Sequence, residues 1–229
     1  MLHKTAALLR KTLPGPLFGF VRRIGTALLT PIAFSSRTGH FRSSLALVPV
    51  DRHGKLIPWY TYPMIEFLSD QDFSKKRILE WGAGASTSWW AARAASVLAF
   101  ESNAVWYKRV SAKLPINVRL LLVSETLGNL PREILTGTFD VIVIDGLNRR
   151  LCAEASLNLL APGGAILFDN SEGFWGRSGT YPVIDLLRNQ GFQRVDFYGH
   201  APGVIKPHCT SLFFKEGCFL LKGDHPPHR

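Results

Sequence analysis

The stretch Ile78-Leu79-Glu80-Trp81-Gly82-Ala83-Gly84-Ala85-Ser86-Thr87 decides the fold. It opens with a short apolar run that ends near a carboxylate, turns through two glycines and enters a helix-like sequence beginning at Ser86. Strand, glycine-rich turn and helix in that order open a βα unit. The glycines allow the backbone to approach a ligand closely. The first N–H groups of the helix favour acceptors or negative charge.

Working outward, the same rhythm repeats. Arg77–Trp81, Val97–Glu101, Val118–Val123, Phe139–Asp145 and Ala165–Asp169 read as buried strands, with helix-like Ser86–Ala95, Ala104–Leu114 and Arg149–Leu160 between them. Val141-Ile142-Val143-Ile144 is apolar on both faces, as a central parallel strand must be. The alternation predicts an α/β domain over residues 75–222, Rossmann-like and doubly wound, with a mostly parallel sheet. Its end breaks the pattern. Pro182–Gln190 reads as a helix stopped by Gly191. Val195–Tyr198, Ser211–Phe214 and Cys218–Leu221 follow as strands, the last two joined by a hairpin turn at Lys215-Glu216-Gly217. Antiparallel C-terminal strands are foreign to a plain dinucleotide-binding domain. Residues 223–229 read as a disordered tail.

Upstream lie two further segments. Residues 36–74 form a lid or cap segment, in which Thr61 or Tyr62 precedes a helix with Pro63 in its first turn. Residues 1–35 form a basic amphipathic arm. Lys4, Arg10, Lys11, Arg22, Arg23, Arg37 and Arg42 precede the first acidic residue, Asp51. Such an arm attracts anionic surfaces. Apolar Leu8, Leu9, Leu17, Phe18, Phe20 and Val21 are interleaved with it, as for attachment to an anionic membrane. An Arg-rich, acid-free start also resembles an organelle transit peptide. No spanning helix is expected: Thr12–Val21 and Ile24–Ser36 are shorter than the roughly 20 residues required, and Pro14, Pro16 and Pro31 interrupt them. The net charge is +10 and hydrophobic residues make up 46% of the chain, enough for a sizeable core. Cys152, Cys209 and Cys218 form no CxxC pair and read as packed free thiols in a reducing, cytoplasmic setting.

The charged residues at the strand ends narrow the ligand. A dinucleotide site follows Gly-x-Gly-x-x-Gly, but Thr87 stands at the third glycine. Glu80 also places a carboxylate near where a pyrophosphate would sit, and suits a cationic group such as an amine. Glu101 ends the second strand, where a carboxylate can accept two hydrogen bonds from a ribose diol. Asp145 ends the fourth strand and Asp169-Asn170 the fifth. Strand carboxyl ends form the ligand crevice of such sheets, and three oxygen ligands there suit Mg²⁺. The alternative is that these two aspartates cap helices or contact substrate.

These residues carry a resemblance. Glu80-x-Gly82-x-Gly84, with Ser86 in place of a third glycine, resembles the first motif of class I S-adenosylmethionine-dependent methyltransferases. Glu101 matches their second-strand acidic residue. Phe139–Gly146 and Leu159-Leu160-Ala161-Pro162-Gly163-Gly164-Ala165-Ile166-Leu167 are similar to their fourth strand and the turn into their fifth. The resemblance covers about residues 60–222. It implies S-adenosylmethionine as cofactor, Glu80 near its methionine part, Gly82 and Gly84 beneath it, Glu101 on the ribose, and Ser124 and Glu125 beside the adenine. Asp145, Asp169 and Asn170 also resemble the cation site of catechol-type O-methyltransferases, with Asp145 and Asp169 in the catalytic role. Those enzymes carry a Lys shortly after the first Asp, where this chain runs Gly146-Leu147-Asn148-Arg149-Arg150.

The expected activity is therefore methyl transfer to oxygen on a small-molecule, sugar or lipid-linked acceptor. Competing readings are a nicotinamide-dependent oxidoreductase and a non-catalytic binding protein on the same fold. Nucleic acid is disfavoured as a partner. The Asn/Asp-Pro-Pro-Tyr/Phe run of base-amino enzymes is absent after the fourth strand, and no aromatic-basic RNA module is present. Trp59, Tyr60, Tyr62, Trp89 and Trp90 are candidates to roof the cofactor or to stack on substrate, although aromatics at this spacing are more often core. His200 and His208, in an expected loop near Gly203, are candidate general bases.

Overall fold

The computed structural model describes residues 10–221 apart from 125, 128–129, 131–136, 147 and 174–178. Lys4, Leu8, Leu9, Glu125 and the tail 223–229 lie outside the described residues.

A seven-stranded sheet forms the centre, in the order β3-β2-β1-β4-β5-β7-β6. The strands are β1 Arg77–Trp81, β2 Ser96–Glu101, β3 Val118–Leu122, β4 Phe139–Ile144, β5 Leu160–Asp169, β6 Gln193–His200 and β7 Pro207–Phe214. The first five run parallel. β7 is antiparallel to both β5 and β6. In β4, Val141 and Val143 enter one apolar cluster and Ile142 and Ile144 the other. Both faces of the strand are buried, which is why its sequence is an unbroken apolar run.

Helices cover the two faces. Helices α1 (Gly15–Thr38) and α2 (His40–Ala46) form the N-terminal region, α3 is Tyr62–Ser69 and α4 is Ala85–Ala91. Tyr62, Met64, Ile65 and Leu68 of α3 pack on one face with Trp89 and Trp90 of α4. Helix α5 is Ala104–Ser111, α6 is Arg149–Leu157 and α7 is Tyr181–Asn189. Cys152 and Ala153 of α6, with Val183, Ile184 and Leu187 of α7, pack on the other. None of the three cysteines is in a disulfide, and all three are buried.

Three sequence expectations are corrected. The hairpin joins β6 to β7 across residues 201–206, and Phe219–Leu221 is a 3-10 turn rather than a strand. The polar half of β7, Pro207-His208-Cys209-Thr210, lacks an apolar pattern, yet its backbone pairs with β6 along the full length. His200 and His208 consequently stand on strands. The N-terminal region is also more regular than its prolines suggest. Helix α1 runs unbroken over Gly15–Thr38, and α2 is His40–Ala46. Pro16 lies in the first turn of α1, where its missing N–H has no intrahelical role, and the helix continues through Pro31. The boundary expected at 35/36 thus falls inside α1. This helix is also long and apolar enough to cross a membrane by length and composition.

Helix α2 is fixed to the body through the β6–β7 turn. The Gly203 N–H donates to His40 Nδ1 at 3.3 Å. Nearby, Trp59 Nε1 donates to the Pro202 carbonyl at 3.0 Å.

Candidate functional site

A cavity of about 690 Å³ opens at the carboxyl ends of the parallel strands, where the strand order reverses between β1 and β4. Ligands of open α/β sheets bind at such a switch point. Gly82 makes the two strand ends meet. Its φ is +102°, and a Cβ there would lie 2.8 Å from the Gly146 nitrogen. The ladder continues past the strands here: Gly82 N donates to the Phe100 carbonyl and Asp145 N to the Trp81 carbonyl, both at 2.9 Å. Gly84 is extended, and a Cβ there would meet nothing closer than Ser86 Oγ at 4.0 Å.

Thr87, which replaces the third glycine of a dinucleotide motif, has its own task. Its hydroxyl donates to Glu80 Oε2 and accepts from the Gly84 N–H at 2.9 Å. The turn is thereby tied to the carboxylate beneath it. Glu80 is fully buried, and its Oε1 has no hydrogen-bond partner among the described residues. Burial raises its carboxyl to about 7, with the Glu101 charge adding to the rise and the Ser86 and Thr87 hydroxyls opposing it.

Glu101 lines the cavity and braces its rim. Oε1 accepts from the Asn103 N–H at 2.7 Å and Oε2 from the Ala83 N–H at 3.4 Å. Each oxygen keeps further acceptor capacity. Ser86 and Ser124 also line the cavity, and Glu125 lies outside the described residues. Trp106 was not singled out from the sequence. Its indole N–H donates to the Ala83 carbonyl at 2.6 Å, and its ring forms part of the cavity wall. A tryptophan in the first turn of the helix after Glu101 was the available signal.

At the other side of the cavity, the two aspartates differ. Asp145 lines it, whereas Asp169 is almost wholly buried and accepts from the Thr210 hydroxyl at 2.6 Å. Burial raises the carboxyls of Asp145 and Asp169 to about 7 and about 8. The Asp145 charge adds to the rise at Asp169, Glu80 and Glu101 add to that at Asp145, and Arg149 lowers both.

Arg149 is the second residue that sequence reasoning missed. Its Nη2 donates to Asn170 Oδ1 at 3.1 Å and lies 3.9 Å from Asp145 Oδ1. Asn170 itself is held left-handed at φ +52°. This donor set does not fit Mg²⁺. One expected ligand oxygen accepts from a guanidinium, another from Thr210, and a fixed positive charge stands beside the third. No cluster of three His, Cys, Asp or Glu residues suited to a metal occurs among the described residues.

The candidate aromatics separate clearly. Trp59 is half-exposed and lines the cavity. Tyr60, Tyr62, Trp89 and Trp90 are core. The Tyr60 hydroxyl accepts from Trp90 Nε1 at 3.2 Å, and burial lifts its phenol well above the usual range. The segment holding Trp59 and Tyr60 is stitched to the antiparallel strands. The Thr61 N–H donates to the Thr210 hydroxyl at 3.1 Å, and its side chain to the Phe197 carbonyl at 2.9 Å. Of the histidines, His208 Nδ1 lies 3.0 Å from Glu172 Oε1, and His200 meets the His40 ring edge-on at 6.1 Å; neither lines the cavity.

No family model and no curated protein matches the chain. Solved structures do. A precorrin-6y C5,15-methyltransferase from Geobacter metallireducens GS-15 is 13% identical, with 67% of this chain and 87% of that chain covered and a TM-score of 0.51. A candidate rRNA methylase from Clostridium thermocellum is 17% identical, with 71% and 100% covered and a TM-score of 0.51. The fold is that of the class I methyltransferases.

Proposed function

We propose that the protein transfers a methyl group from S-adenosylmethionine to an oxygen of a small-molecule, sugar or lipid-linked acceptor. One observation carries the reading. Glu80, Glu101 and Asp145 sit close enough around the Gly82–Gly84 turn to feel one another's charge, and two of them are raised to about 7. A pyrophosphate would add repulsion there. A sulfonium with an α-ammonium would relieve it, which favours this cofactor over a nicotinamide dinucleotide.

When bound, S-adenosylmethionine supplies an electrophilic methyl group. The chain's own residues then have separable tasks. Glu101 accepts from a ribose diol while bracing Ala83 and Asn103. Trp106 offers a flat apolar wall. Asp145 takes the proton from an acceptor hydroxyl at its cavity-lining carboxylate, and a value near 7 suits a base at neutral pH. Asp169, held by Thr210 and raised to about 8, stays largely protonated at neutral pH. Arg149 orients Asp145 and keeps it ionisable. Holding two reactants in line supplies about 7–11 kcal/mol of such a barrier, so no further specialised residue is needed.

Calorimetry against S-adenosylmethionine, its demethylated product and NAD tests the reading. Binding of the first two, with none of NAD, is expected. Binding of NAD alone would overturn it.

A further inference from the structure

Helix α1 has 24 residues, none of them buried. Leu17, Phe20, Ile24, Leu28 and Ile32 recur at spacings of three and four, which places them on one face. Phe20, Leu28 and Ile32 are 61%, 64% and 65% exposed. Thr26, Thr30 and Arg37 fall on the opposite side, with Arg22 and Arg23 flanking it. The helix therefore carries an apolar stripe about 22 Å long that is largely exposed. A monomer in water seldom exposes so long a contiguous apolar surface.

The attachment to the body uses other side chains. Phe34 meets Tyr62 edge-on at 5.4 Å and lies 6.4 Å from His200. The stripe takes no part in these contacts. Charge identifies what covers it. From residue 10 to residue 50 the chain has Arg10, Lys11, Arg22, Arg23, Arg37 and Arg42 and no acidic side chain.

We propose that α1 lies in the plane of an anionic bilayer, with Leu17, Phe20, Ile24, Leu28 and Ile32 at the acyl boundary and Arg22 and Arg23 on lipid phosphates. Two other occupants fit less well. A second copy of the chain would bring the same arginines together with no carboxylate on the helix to match them. A spanning orientation has the required length and hydropathy. It would, however, carry Arg22 and Arg23 about 12 Å along the helix, into the hydrocarbon, where arginine is strongly disfavoured. In-plane binding keeps both at headgroup level.

The test uses the full chain with vesicles of phosphatidylcholine alone or with 30% phosphatidylglycerol (the mole fraction is about what gives a strongly negative surface). At low salt, co-sedimentation with the anionic vesicles is expected to exceed that with neutral ones by about tenfold or more, and to fall as salt is raised. Ile24→Glu with Leu28→Glu, and separately Arg22→Glu with Arg23→Glu, should each remove the binding. Their melting midpoints should match the parent, because no residue of α1 is buried; this distinguishes lost binding from lost folding. Equal sedimentation of parent and variants would overturn the proposal. A concentration-dependent dimer dispersed by the Ile24/Leu28 pair, without vesicle binding, would overturn it in favour of self-association. Membranes of expressing cells that retain the chain through an alkaline carbonate wash would overturn it in favour of a spanning helix.

Discussion

Glu80 and Glu101 do different work although both are strand-end carboxylates. Glu101 faces the cavity, and its expected bonds to a ribose are charge-assisted, each contributing about 1.5–3 kcal/mol. Glu101→Ala should weaken cofactor binding about 10- to 100-fold in a protein whose circular dichroism is unchanged; unaltered affinity would remove the ribose role. Glu80 lies behind the turn and is raised to about 7, so at neutral pH it is near half-protonated. A cationic ligand favours its ionised form. Binding should therefore release a proton, and affinity should climb with pH up to about 7, by at most about tenfold per pH unit, then level off. Calorimetry in two buffers of different ionisation heat counts the proton, and Glu80→Gln should remove it. No release near pH 7 from the parent protein would separate Glu80 from the cofactor.

The β1–α4 and β4–α6 turns act as one element because Gly82 and Gly146 touch. Gly82→Ala places a Cβ within van der Waals overlap of Gly146 backbone at a positive φ. We expect a loss of about 2 kcal/mol or more, read as a lower urea midpoint, together with weakened cofactor binding; a neutral substitution would mean the two turns can part. Much of this element was legible. Glu80-x-Gly82-x-Gly84, Glu101 and Asp145 declare themselves because a strand must end in an apolar run and a ligand turn needs glycine. Thr87 was read only as a missing glycine, since nothing local says that its hydroxyl will find Glu80. Arg149 and Thr210 were invisible for a different reason. Their partners, Asn170 and Asp169, lie far along the chain, and periodicity reports only neighbours. Pro31 misled in the opposite sense: a proline inside a helix costs about 3 kcal/mol, yet α1 continues through it.

At the scale of the molecule, three carboxyls raised by burial set the response of stability to pH. Glu80, Asp145 and Asp169 hold protons in the folded protein at pH values where the unfolded chain has released them. The folded state binds more protons, so stability declines as pH rises from about 4 through about 8. Each group contributes at most about 1.4 kcal/mol per pH unit. The ligand-free protein should thus melt several degrees lower at pH 8 than at pH 6, and Asp169→Asn should flatten that slope. A midpoint that rises over this range would contradict the raised values.

The stitch between residues 59–61 and the β6–β7 hairpin spans 143, 149 and 136 positions of sequence. Contacts this distant close late, and synthesis delivers them in one direction. The glycine turn and the strands around it have left the ribosome while Trp59 and Thr61 still wait for Phe197, Pro202 and Thr210. A nascent chain can therefore shape the half around its glycine turn well before the segment at Trp59 is fixed, and truncation anywhere before residue 210 leaves Thr61 without its Thr210 partner.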